Sequence, residues 1–260
     1  VPEAVEVELY RRAAERVVGR RIEAVDAPDP WYLKAGLEAA ELDARLVGEQ
    51  VTGVRRRGKL LLVDLGGGPV LGLRFGMTGR LLVDDEAAIS RLEYSSARDE
   101  PGWDRFGLRF AGGGSLVVRD PRRLGGVELD PDEDRLGPDA FAVTARHLRE
   151  RVLVGDVALK ARLLDQSRLA GVGNLIADET LWRARLDPAR PAGSLDDTEV
   201  RRLLRALRQV LGDLMDQGGS HTGRLHQARE RGGNCPRCGA PLLRREVGGR
   251  TTYSCPAEQR

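Results

Sequence analysis

The sequence predicts an α+β protein of several domains: an N-terminal helix leading into a β-sandwich or barrel, then a helical domain, then a small cysteine-bearing unit. Three observations carry this. From about Arg21 to Leu129, short β-rich runs are broken by glycines, the pattern of a sandwich or barrel. The composition changes near Pro131 and is helical in period from His147 onward. All three cysteines fall in the last stretch, Cys235 to Arg260.

The opening Val1-Pro2-Glu3-Ala4 suits a helix start, because proline's missing N–H is not needed in the first turn. That helix runs on through Glu6, Leu9, Ala13 and Val17. Strands are predicted in Val54–Val63 and Val70–Val83, broken by Gly66-Gly67-Gly68 and Gly76, and in Phe106–Phe110 and Ser115–Val118, joined by Ala111-Gly112-Gly113-Gly114. Helices follow at Ala158–Leu164, Asn174–Arg183 and Asp196–Met215. Asp196 or Thr198 would cap the last, and Gly218-Gly219 ends it. With 260 residues the chain can hold two packed domains, or one with attachments. The expected boundaries are 1–130, 131–232 and 233–260.

The net charge of +2 argues only weakly for a polyanionic partner. No apolar run is long enough to span a membrane, and the acidic, amphipathic start is unlike a signal peptide. A cytoplasmic protein is expected, associated with the nucleoid. Only three of the 42 lysines and arginines are lysine. Where composition favours arginine, a retained lysine marks a place that a guanidinium fills poorly. Lys59 and Lys160 lie in motifs taken up below. Lys34, in Trp31-Tyr32-Leu33-Lys34, has no reading from sequence.

Three motifs bear chemistry. With Val1 removed, Pro2 presents a secondary amine beside the Glu3 carboxylate, and amines are covalent catalysts for sugar and carbonyl carbons. An α-amine also titrates about two units below lysine. The run Gly171-Val172-Gly173-Asn174 allows a tight turn, with Asn174 as cap of the next helix and N–H groups open to a phosphate. Alone this is a weak signal; the longer run to Glu179 is more specific. Cys235-Pro236-Arg237-Cys238, followed after sixteen intervening residues by Cys255, has the spacing of a structural zinc site. An odd cysteine count in a cytoplasmic chain argues against disulfides.

Taken together, these blocks resemble the formamidopyrimidine-DNA glycosylase / endonuclease VIII family of base-excision repair enzymes, in an actinobacterial-type form. The stretch from Leu164 to Ala184 resembles its helix-two-turn-helix element, and Pro2-Glu3 with Glu6 its N-terminal signature. Arg57-Gly58-Lys59, Phe75-Gly76-Met77-Thr78-Gly79, Asp120-Pro121-Arg122-Arg123-Leu124-Gly125 and Leu136-Gly137-Pro138 follow in the family's order. The resemblance covers nearly the whole chain. It implies a β-sandwich beside the N-terminal helix, a helix-two-turn-helix domain and a zinc-finger-like β-hairpin.

It also implies roles. Pro2 is the nucleophile on C1′ of the damaged nucleotide, Glu3 the proton shuttle, and Lys59 a phosphate contact that supports catalysis. Met77, Arg122 and Leu124 match the positions that fill the space left by a flipped nucleotide. Leu124 stands where many members carry phenylalanine. Asn174 binds phosphate, with Glu179 on the helix behind it. Lys160 sits where some members place a lysine near the damaged base, and Arg250 is the finger arginine. The implied activity is a bifunctional glycosylase and AP lyase that opens the sugar through an iminium and cleaves by β/δ-elimination. The implied partner is double-stranded DNA with an oxidised base or abasic site, bound by a monomer. Alternatives on the same fold are a catalytically weak or inactive lesion binder, or an AP lyase without glycosylase activity.

Several positions depart from the family's pattern. Glu258 replaces its fourth cysteine, so one structural Zn²⁺ per chain is expected on Cys235, Cys238 and Cys255. Glu258, His226 or water would complete the shell; the alternative is a finger that folds without metal. Ile176 stands where many relatives have tyrosine. The short Gly218–Leu225 segment looks more like the endonuclease VIII side, which takes oxidised pyrimidines. Val1 is read as conceptual translation of a GTG start, so the native chain is expected to begin at Pro2.

Overall fold

A computed structural model of the chain describes residues 2–89, 92, 93, 98, 100–230 and 232–260. Val1, on which the expectation of a processed start rests, lies outside the described residues. Two compact units result. The first comprises Pro2 and Glu6–Glu133, the second Glu3–Val5 and Asp134–Arg260. The division thus falls just past the expected 130/131 boundary, and the cysteine hairpin belongs to the second unit.

In the first unit, helix α1 (Ala4–Ala14) buries Val7, Tyr10 and Ala14, spaced to share one helical face. The strands are β1 (Ile22–Asp26), β2 (Val51–Arg57), β3 (Leu60–Leu65), β4 (Val70–Arg74), β5 (Arg80–Val83), β6 (Glu86–Ala87), β7 (Asp104–Phe110), β8 (Ser115–Arg119) and β9 (Gly126–Leu129), with helix α2 (Ala39–Leu46) between β1 and β2. They form two antiparallel sheets, ordered β1-β7-β8-β5-β6 and β2-β3-β4-β9. Leu61, Val63, Leu71 and Leu73 of one sheet share a core with Leu81, Phe106, Leu108, Leu116 and Val118 of the other. The unit is therefore a sandwich rather than a barrel. The alternation is clear in β8, where Leu116 and Val118 are buried between half-buried neighbours.

The second unit holds α3 (Ala145–His147), α4 (Leu159–Leu164), α5 (Asn174–Ala184), α6 (Asp197–Asp216) and α7 (Arg224–Gln227), then the hairpin β10 (Leu243–Val247) and β11 (Arg250–Ser254). Helix α5 is buried almost all round, as expected of a central helix. Helix α6 is amphipathic and begins with a capping box: the Asp196 side chain accepts the Glu199 N–H at 2.8 Å, and Glu199 accepts the Asp196 N–H at 3.1 Å. Of the two expected caps, Asp196 is the one used. Among the described residues no helix is long and apolar enough to cross a membrane.

Candidate active site

Candidate residues lie in both units and are taken unit by unit. In the first, Pro2 is buried. Lys59 occupies the two-residue turn between β2 and β3, flanked by the Arg57–Leu60 pair. Gly58, at φ +60°, takes the first central position, the glycine site of a hairpin turn whose twist matches its strands. The turn puts half-buried Lys59 at the end of a rigid two-stranded ribbon.

Met77 and Leu124 sit on separate loops held by one buried carboxylate. Asp120 Oδ1 accepts the Thr78 hydroxyl at 2.6 Å and the Arg122 N–H at 3.2 Å. Its Oδ2 accepts the N–H groups of Leu124 and Gly125, each at 2.9 Å. The loops also touch directly: a Cβ on Gly76 would lie 2.4 Å from the Leu124 carbonyl carbon. Leu124 is 50% exposed and Arg122 exposed, while Met77 is half-buried. The exposed Leu124 side chain thus stands on a pinned backbone. The sequence signal for Asp120 is the Asp-Pro pair, a known turn former whose side chain bonds the backbone two residues on.

The second unit contains Glu3. Its Oε2 accepts the N–H groups of Gly173 and Ile176, both at 3.0 Å, and Oε1 accepts the Leu175 N–H at 2.9 Å. The start of α5 is thus capped by a carboxylate from the other end of the chain, which corrects two sequence expectations. Gly173, not Asn174, stands at the cap position, without a side chain to cap with. Of the N–H groups read as open to phosphate, those of Gly173, Leu175 and Ile176 are already satisfied. Asn174 Nδ2 donates one hydrogen to the Thr251 carbonyl at 3.2 Å, leaving its second amide hydrogen. Arg250 is exposed and opens β11 after the Gly248-Gly249 turn.

Lys160 and Glu179, expected to face DNA, are interior. Lys160 has no exposed surface. Its ammonium pairs with Asp178 at 2.6 Å and donates to Thr252 Oγ1 at 2.7 Å and the Thr251 carbonyl at 3.2 Å. All three of these partners are protein groups. Burial pushes the Lys160 ammonium down and the Asp178 carboxyl up in pKa, and their ion pair opposes both shifts. Arg229 completes the cluster, 3.3 Å from Asp178 Oδ2 and stacked 5.2 Å from the centre of the Tyr253 ring. This cluster ties β11 to α4 and α5. Glu179 accepts the Leu225 N–H at 2.7 Å and Arg183 Nε at 3.0 Å, so it fastens α7 to α5. Asp178 and Arg229 escaped the sequence reading, since a carboxylate inside an apolar helix announces a partner but not which one.

The thiols of Cys235, Cys238 and Cys255 lie within 4.8 Å of one another. Burial would raise the Cys235 thiol, but the Trp182 indole N–H, 3.3 Å from its sulfur, and backbone donors bring it down to about 7. Burial and the neighbouring thiols raise Cys255 to about 11. Three clustered thiols are a fitting donor set for zinc. Neither Glu258 nor His226 joins the cluster. Glu258 Oε2 is instead held by Arg237 at 3.0 Å and Arg185 at 3.2 Å, so the expected fourth ligand is engaged elsewhere.

Comparison with known proteins agrees with this architecture. Residues 1–127 match the family model for the formamidopyrimidine-DNA glycosylase N-terminal domain, and residues 136–224 that for its H2TH domain. The chain is 36% identical to a formamidopyrimidine-DNA glycosylase of Salinispora arenicola, covering 98% of this chain and 95% of the relative. It is 37% identical to that of Thermus thermophilus, covering 100% and 98%. A structure of Lactococcus lactis Fpg with DNA containing an abasic site superposes with a TM-score of 0.82 at 27% identity, covering 99% of each chain. The same protein has been solved with DNA containing Fapy-dG.

Proposed function

The chain belongs to the formamidopyrimidine-DNA glycosylase / endonuclease VIII family, and on that premise we propose a bifunctional DNA glycosylase and AP lyase working through the Pro2 amine. It is a DNA glycosylase of base-excision repair, and its partner is DNA carrying a damaged base or an abasic site. The observation that carries the mechanistic reading is the Glu3 carboxylate, held by three backbone N–H groups and next in sequence to Pro2.

A base stacked in a duplex is out of reach of an amine, so the nucleotide is flipped out, at a cost of a few kcal/mol. Met77, Arg122 and Leu124 fill the vacated stack and offset that cost. Lys59, Asn174 and Arg250 are each phosphate contacts. The Pro2 nitrogen, acting as a free secondary amine, attacks C1′ and the base departs with the glycosidic bond's electrons. Ring opening gives the iminium, with Glu3 carrying the proton to the ring oxygen. Loss of a C2′ proton then expels the 3′ phosphate, and a second elimination releases the 5′ side. Water hydrolyses the iminium and restores Pro2. Zinc held by the three thiolates would be structural, cross-linking the finger, and takes no part in these steps.

Ring-opened purines are the first substrates to compare, since the relatives named above are formamidopyrimidine-DNA glycosylases. Oxidised pyrimidines, toward which the short Gly218–Leu225 segment leans, are the second class to compare. A cytoplasmic, nucleoid-associated location follows from a DNA substrate. The test is borohydride trapping on a duplex with one abasic site, followed by peptide mapping. An adduct on Pro2 is expected. No adduct, from protein shown to begin at Pro2 and to bind the duplex, would overturn the mechanism in favour of a non-catalytic lesion binder.

A further inference from the structure

Trp31 is 69% exposed, an unusual amount of indole to leave in water for a residue whose backbone is so firmly held. Its N–H donates to Asp29 Oδ1 at 3.2 Å. Both Asp29 oxygens in turn hold the Arg123 guanidinium, each at 2.6 Å. The next residue, Tyr32, is buried and reaches Asp120 Oδ2 with its hydroxyl at 3.4 Å. Beyond it, the Lys34 N–H donates to the Val127 carbonyl at 2.8 Å. The loop bearing Trp31 is therefore bolted to the same 120–127 segment that presents Arg122 and Leu124.

Lys34 explains part of the arrangement. Its ammonium donates to the Trp31 carbonyl at 2.7 Å and stands 5.4 Å from the centre of the indole ring, within cation–π range. The lysine props the ring from one side, leaving the rest of the indole to solvent. Its ammonium has further protons to offer an anion. An aromatic plane beside cations, on a rigid loop, is how proteins seat nucleobases without regard to sequence.

We propose that Trp31 and Lys34 form an additional DNA contact, in which the indole stacks on a nucleotide next to the kinked step and Lys34 takes its phosphate. It rests on the proposed function, since the occupant is a strand of the bound duplex. The site follows from continuity: Arg123 and Asp29 join Trp31 to Leu124, so a duplex wedged by Leu124 brings its neighbouring nucleotides to the same surface. A kinked duplex has partly unstacked bases, and an indole restores the stacking they lose. Neither side chain touches the reacting sugar in this scheme, so both are binding residues.

The test uses the full-length protein and a duplex with one tetrahydrofuran abasic analogue. Because Trp31 is solvent-exposed, Trp31→Ala leaves the fold intact, which thermal melting checks. Titration with the duplex should quench tryptophan emission, and Trp31→Phe should remove most of that quenching. Trp31→Ala should raise Kd about tenfold, the scale of one lost base stack, while Trp31→Phe raises it about twofold. The single-turnover rate at saturating DNA should not change. Lys34→Ala should lower the slope of log Kd against log salt by about one phosphate contact. Unchanged Kd and unchanged quenching in the Trp31 variants would overturn the inference while leaving the glycosylase reading intact. A wild-type protein that binds no lesion duplex would overturn that reading, and this inference with it.

Discussion

A methyl group added to Gly173 would lie 2.2 Å from the carboxyl carbon of Glu3. No side chain fits there without expelling the carboxylate, so the glycine at this position is dictated by the acid that packs on it. Gly173→Ala should therefore act on catalysis through Glu3, although it touches no substrate. Its single-turnover rate should fall as far as that of Glu3→Gln, by at least about a hundredfold, the usual scale of a lost general acid–base group. A variant with near-normal turnover would show that Glu3 need not sit at the α5 N-terminus to work.

Lys160 and Asp178 give a second prediction. Removing one partner of a buried ion pair strands the other, at about 3–5 kcal/mol. Lys160→Met should cost somewhat less than this range, because Arg229 remains beside Asp178. In urea unfolding, the double variant Lys160→Met/Asp178→Asn should be more stable than the two single losses add up to. Additive losses would argue that the pair is not an energetic unit.

Asp29 carries a pH signature. Its hydrogen bond to Arg123, with further donors, outweighs burial and holds its carboxyl below the usual range. A depressed carboxylate stabilises the fold fully above its unfolded value, about 3.9, and that contribution is lost as pH falls through the lower folded value. The difference in Tm between wild type and Asp29→Asn should thus be widest above about pH 5 and shrink toward pH 3. A constant gap would mean that the ionised form of Asp29 is not what stabilises the loop.

The finger offers a metal test. With Glu258 held by two arginines, zinc on three thiolates should leave more readily than from a four-thiolate site. Glu258→Cys should slow zinc loss to a chelator, measured with a colorimetric dye. Trp182, bonded to Cys235, should report the same event by fluorescence. Equal release rates for wild type and variant would mean that the fourth thiol gains nothing at this site.

Much of the fold was legible because its signals are local. Glycine-broken β runs and the capping-box helix at Asp196 declare themselves within a few residues. Candidate site residues could be singled out where a motif carries its own chemistry, as with Pro2-Glu3, and the three cysteines do come together. What escaped depends on partners far apart in the chain. Nothing near Lys160 says that its ammonium will be enclosed by Asp178 and Thr252 rather than offered to DNA. Asn174 looks like a cap by sequence, yet the cap comes from Glu3. Glu258 sits where a ligand is expected but finds Arg185 and Arg237 closer to hand.

The helical unit is discontinuous: Glu3–Val5 belong to it although residues 6–133 do not. Its central helix is completed by hydrogen bonds spanning 170 to 173 residues, and the Gly171 carbonyl accepts the Ala4 N–H at 3.0 Å. The earlier segment must therefore wait for one made much later before either is finished. A protein of residues 134–260 alone would carry three bare amides at the head of its innermost helix. Supplying the first few residues as a separate peptide should rescue such a fragment, which makes this contact a natural seam for a split, reassembling form of the protein.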